Sequence, residues 1–161
     1  MHLRHFKHPI LFALCAACTA QPEPPEFPIS LSSIGPVEQV VKISGDGVYK
    51  LEFQFSRNGI AFEEMKKLIG AAHVCQAKEP CSAGIMVPVS WSIRSTKSGQ
   101  IAAAGQAETI DSSGWSQAFV ARHIGSASLE RGSYSLKIEI LRGVPELAHL
   151  KTTVAIRLPL K

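Results

Sequence analysis

Residues 49–55 read Tyr-Lys-Leu-Glu-Phe-Gln-Phe, apolar and polar in unbroken alternation. In an extended chain successive side chains point to opposite faces. Tyr49, Leu51, Phe53 and Phe55 therefore share one face, and Lys50, Glu52 and Gln54 the other. This is the pattern of a strand buried on one side only. Three more segments repeat it. Val87, Val89, Trp91 and Ile93 alternate with Pro88, Ser90, Ser92 and Arg94. Tyr134, Leu136, Ile138 and Ile140 alternate with Ser135, Lys137 and Glu139. Leu150, Thr152, Val154, Ile156 and Leu158 oppose Lys151, Thr153 and Arg157.

Weaker strand signals fill the gaps. Phe27 to Leu31 and Val37 to Ile43 read as an opening edge pair broken by the turn Gly35-Pro36. Gln100 to Ile110 is Ala-rich, which suits an edge. Ser116 to Ile124 is apolar enough for a strand, but Phe119 and Val120 leave its inward face open. Turn signals recur at Gly45-Asp46-Gly47, Lys97-Ser98-Gly99, Ser112-Ser113-Gly114 and Arg131-Gly132. Seven or eight short strands with regular turns predict an all-β fold, an immunoglobulin-like antiparallel β-sandwich over residues 29–161. One segment breaks the rhythm. Ile60 to Ile69 carries Phe62, Met65, Leu68 and Ile69 at helical spacing, with Gly70 as a stop. Glu63 and Glu64 come early and Lys66 and Lys67 late, matching the helix dipole. A short helical insertion covering an edge or end of the sandwich is expected.

Composition narrows the class. The chain has 161 residues, 45% hydrophobic and 19% charged, which suits one domain with an ordinary core and excludes intrinsic disorder. No apolar run approaches the roughly 20 residues of a membrane-spanning helix. Residues 1–17 carry Arg4 and Lys7 ahead of the apolar run Pro9 to Ala17, the order of an export signal. Removing those two cations leaves 15 basic against 13 acidic residues. Without a basic cluster and interleaved aromatics, nucleic acid is not an expected partner.

The cleavage region resembles a bacterial lipoprotein signal. Ala16 and Ala17 stand directly before Cys18, as the lipoprotein peptidase requires, although Cys15 occupies a place usually held by Leu. Cleavage after Ala20 is the competing reading. Lipidation of Cys18 would make the membrane a partner through the N-terminal lipid. Thr19, rather than Asp, follows that cysteine, and the resemblance implies delivery to the periplasmic face of the outer membrane. Residues 18–28 hold four prolines between Gln21 and Pro28 and read as an anchor and extended spacer.

Chemistry is sparse. Cys75 and Cys81 are close in sequence, and in an oxidising compartment they are expected to form a disulfide stabilising the fold by roughly 2 kcal/mol. The sharper alternative is a copper site from His73, Cys75, Cys81 and Met86, whose spacing matches no familiar zinc pattern. Beyond the signal only His73, His123 and His149, and Asp46 and Asp111, remain for acid–base work. No Gly-x-Ser-x-Gly or His-Glu-x-x-His motif accompanies them. Trp115, in a Ser/Gly loop, is the candidate interaction residue, and it is equally suited to plugging the sandwich end.

The Phe27-Pro-Ile-Ser-Leu start, the 49–55 strand, the helix ending Leu68-Ile-Gly70, Val87-Pro-Val-Ser-Trp-Ser-Ile93 and Leu129-Glu-Arg-Gly-Ser-Tyr-Ser-Leu136 form a recognisable series. It resembles a family of small beta-proteobacterial lipoproteins classed as a domain of unknown function. The Leu-x-x-Gly-x-Tyr approach also recurs in immunoglobulin-like domains. The resemblance implies no activity, cofactor or site residues. The expected function is a non-enzymatic binding module of the envelope with a protein partner, as an accessory or an immunity-type protein. A small envelope hydrolase or copper-binding protein is the alternative.

Overall fold

The computed structural model describes residues 25–71 and 83–158. Nine strands, β1 (Glu26–Ile29), β2 (Gly35–Ile43), β3 (Gly47–Ser56), β4 (Val87–Ser95), β5 (Ile101–Thr109), β6 (Gly114–Trp115), β7 (Phe119–Leu129), β8 (Gly132–Ile140) and β9 (Thr152–Arg157), make two antiparallel sheets. One has the order β1-β9-β3-β7-β6 and the other β2-β8-β4-β5. The helix α1 (Phe62–Ile69) links β3 to β4. The fold is the all-β sandwich that the alternating strands predict. Among the described residues no helix is long and apolar enough to cross a membrane.

The alternating faces become the core. Leu51, Phe53, Phe55, Val87, Val89, Ile93, Leu136, Ile138, Ile140 and Val154 are fully buried between the sheets. Trp91 lies against glycines from two strands. A Cβ on Gly125 of β7 would sit 2.3 Å from the indole, and one on Gly105 of β5 would sit 2.9 Å from it. Two tyrosines fasten one end. Tyr49 donates its hydroxyl proton to the Gly45 carbonyl and Tyr134 to that of Glu130, each four residues upstream. Asp46 accepts the Arg131 amide at 2.7 Å and joins the two turns.

Several expectations are corrected. β1 and β2 are edge strands but do not pair with each other: β1 joins β9 and β2 joins β8, in opposite sheets. Gly35-Pro36, expected as the turn between those two strands, instead begins β2. The strand expected to end at Ile124 runs on to Leu129. Leu158 lies past the end of β9 and is exposed. Gln54, on the polar face of β3, is buried, because this outer face is partly roofed. The Arg157 guanidinium of β9 lies 5.1 Å from the Phe119 ring of β7, with β3 between them. Met65 and Ile69 of α1 face the core, but Phe62 is 42% exposed and turns toward Trp115 instead.

Candidate functional site

β3 ends at Ser56 and the chain turns sharply. Asn58 (φ 34°) and Gly59 (φ 84°) take left-handed backbone, and the Ser56 hydroxyl donates to Asn58 Oδ1 at 2.7 Å. Asn58 is the one described non-glycine residue with positive φ. Short polar side chains tolerate this conformation at a modest cost, and such residues gather at functional loops. Opposite it, the β6–β7 loop is held by Ser116, whose hydroxyl oxygen accepts the Ala118 and Phe119 amides. Arg57 ties the loops together. Its amide donates to the Ala118 carbonyl at 2.9 Å and its Nη1 to that of Ser116 at 3.3 Å. Between them lies an open cleft of about 470 Å³ lined by residues 56–60, Gln117 and Ala118.

Trp115 stands beside this cleft in sequence and serves the same end of the molecule. Its indole N–H donates to Ser112 Oγ at 2.9 Å, and that hydroxyl donates to the Gly70 carbonyl at 2.8 Å. Its ring centre is 4.8 Å from that of Phe62, and the Lys66 ammonium lies 5.4 Å from the Phe62 ring. The half-buried Trp115 thus docks α1 at both its ends while the exposed Phe62 keeps an aromatic surface in solvent.

Behind the aromatic pair is a feature sequence reasoning missed. Arg122 of β7 has no exposed surface. Its Nε donates to the Ile69 carbonyl, Nη2 to Leu68, and Nη1 to both Ile85 and Thr109, all at 2.6–3.0 Å. The first two are terminal helix carbonyls, which lack partners within the helix and favour a cation. Phe55 offers its ring at 5.4 Å from the guanidinium. Burial pushes the Arg122 pKa down to about 10, opposed by the nearby Asp111 carboxylate, so the group stays charged at neutral pH. Glycine is required around it. A Cβ on Gly84 would lie 2.3 Å from Arg122 Nη2, and one on Gly70 would lie 2.4 Å from the Ile110 carbonyl.

A β-bulge turns Arg122 inward. Leu51 pairs with Gly125 but Glu52 pairs with His123, leaving Ile124 as an extra residue in β7. The inward set is 125, 127 and 129 on one side of the bulge and 120 and 122 on the other. Without the shift His123, not Arg122, would face the core.

The remaining candidates are dispersed. His123 is exposed and 3.0 Å from Ser126 Oγ, and His149 is exposed near the 3-10 turn at Pro145–Leu147. Asp46 is engaged at the tyrosine end, whereas Asp111 lies by Arg122 at the other. Among the described residues no three His, Cys, Asp or Glu side chains gather as a metal site. Met86 is partly exposed, and its partners in the copper reading, His73, Cys75 and Cys81, lie outside the described residues, as does Cys18.

A family model described as a domain of unknown function (DUF5625) matches residues 26–158. A crystal structure of a protein from Sulfurospirillum deleyianum is similar with a TM-score of 0.69 and 23% identity, covering 88% of this chain and 100% of that one. At that identity the likeness concerns the fold. No curated protein matches.

Proposed function

The chain belongs to the DUF5625 family, and on that premise we propose that it is a non-enzymatic binding module of the bacterial envelope that engages a protein partner through the Trp115–Phe62–Arg57 end. It is exported by residues 1–17, lipidated at Cys18 and held at the periplasmic face of the outer membrane. One observation carries the reading. β1 runs alongside β9 with Glu26 opposite Ala155 and Ile29 opposite Thr152, and Thr152 in turn lies opposite Phe55 near the end of β3. The chain therefore enters the sandwich from the tyrosine-fastened end and runs toward the aromatic end. A tether upstream of β1 would leave the cleft and Phe62 facing away from the membrane.

The chemistry of that end suits a protein surface. An exposed ring, a half-buried indole, guanidinium and amide donors and a shallow open cleft are the components of an aromatic-centred contact. The test is crosslinking capture from envelopes, comparing wild type with Gln117→Arg and Trp115→Ala. Gln117 is exposed, so its substitution fills the cleft without disturbing the fold. Trp115→Ala also loosens α1. Capture of a defined partner by wild type, reduced about tenfold or more by Gln117→Arg, is expected. Equal capture by both variants and wild type overturns the assignment of this end.

A further inference from the structure

We propose that the outer edge of β5 pairs with the same strand of a second copy of this chain, joining two four-stranded sheets into one of eight strands. Among the described residues the sandwich has four sheet edges, and three of them carry devices that deter pairing. β1 has four residues, one of them Pro28, and its Glu26 is bound to Arg157 at 2.6 Å. β6 has two residues. β2 is long but contains Pro36 and the charged Glu38 and Lys42. β5 differs from all three. It has nine residues, Ile-Ala-Ala-Ala-Gly-Gln-Ala-Glu-Thr, without proline or lysine. Among the described residues it pairs with β4 alone. Its one irregularity, at Ala102, lies at its beginning. Ile101 is 55% exposed, and Ala102 and Ala104 are exposed with it.

The strand's own sequence selects a second copy as the occupant. A two-fold axis at Gly105 sets Ala103 opposite Ala107, Ala104 opposite Gln106, and Gly105 opposite itself. The side chains paired about the axis are then Ala, Gly and Gln, all of them uncharged. Glu108 is the only charged residue of β5. In this register the two Glu108 carboxylates lie at opposite ends of the pairing, on the order of 20 Å apart at about 3.3 Å per residue. The like charges that would disfavour self-pairing are thereby separated. Thr109, whose carbonyl is taken by Arg122, bounds the available edge.

Analytical ultracentrifugation of the intact chain, in detergent where lipidated, tests this against Ala104→Lys/Gln106→Lys. Both positions are solvent-facing, and the variant gathers four ammonium groups about the axis. Wild type should dimerise, and the variant should dissociate at least about tenfold more readily. A wild type monomeric at about 100 μM, a concentration that reveals contacts far weaker than a standard interface, overturns the proposal, as does a variant that dimerises equally. The double variant Ala104→Cys/Gln106→Cys is a second check. Its cysteines face each other across the axis at strand spacing, which suits a disulfide, and oxidation should yield a covalent dimer absent from wild type. Failure to crosslink also overturns the register.

Discussion

Arg122 is a fully buried cation whose hydrogen-bond partners are main-chain carbonyls. Isolated in an apolar core a guanidinium would be prohibitively costly. Here four carbonyls, the Phe55 ring and the Asp111 field replace its water. In the sequence Val-Ala-Arg-His nothing local announces the carbonyls brought to it from Leu68, Ile69, Ile85 and Thr109. Arg122→Met keeps the stem and removes the donors, leaving buried carbonyls unpaired. The expected loss is about 3–5 kcal/mol in equilibrium denaturation. The pH behaviour follows from the lowered pKa. The folded value is about 10, below that of a free guanidinium, so the unfolded chain binds the extra proton only as the pH approaches and passes the folded value. Below pH 9 both states hold it and the group contributes no slope. The stability gap between wild type and Arg122→Met should therefore be the same at pH 6 and pH 9.

At the level of elements, the β7 bulge reconciles two requirements on one strand. Its Gly125 half must present a smooth face to Trp91, and its other half must deliver Arg122 to the end of α1. A regular strand cannot do both, because the required inward residues differ in parity. Gly125→Ala tests the first half. The new methyl group would meet Trp91 Cζ2 at 2.3 Å and Nε1 at 2.7 Å, in a core where the indole is already flanked by Gly105. Overpacking of this kind costs about 1–3 kcal/mol. It should appear as a lower denaturation midpoint together with altered Trp91 fluorescence; an unchanged midpoint would show that the sheets can part at little cost. The helix illustrates a different point. Its periodicity correctly marked Met65 and Ile69 as inward, yet Phe62 lies in the first turn, beyond the mouth of the sandwich, and is satisfied by Trp115 instead.

For the whole molecule the tether and the far end form one arrangement, and the mature N-terminus is its most direct check. Mass measurement of detergent-extracted protein should show a chain beginning at Cys18 with attached lipid. It should also show Cys75 and Cys81 blocked to alkylation without reductant. A lipid-free chain beginning at Gln21 would retain export and abolish the anchor. The sequence by itself determined the four strongly alternating strands with nearly all of their inward residues, and the helix with its stop, because alternation, helical spacing and glycine turns are local consequences of backbone geometry. Tertiary structure alone decided that β1 and β2 lie in different sheets, that β7 shifts parity at Ile124, and that Arg122 and Trp115 converge on one helix. Each of these depends on pairing between residues far apart in the chain, and strand registers with similar local patterns are separated only by what the complete core can bury and what carbonyls it leaves to be satisfied.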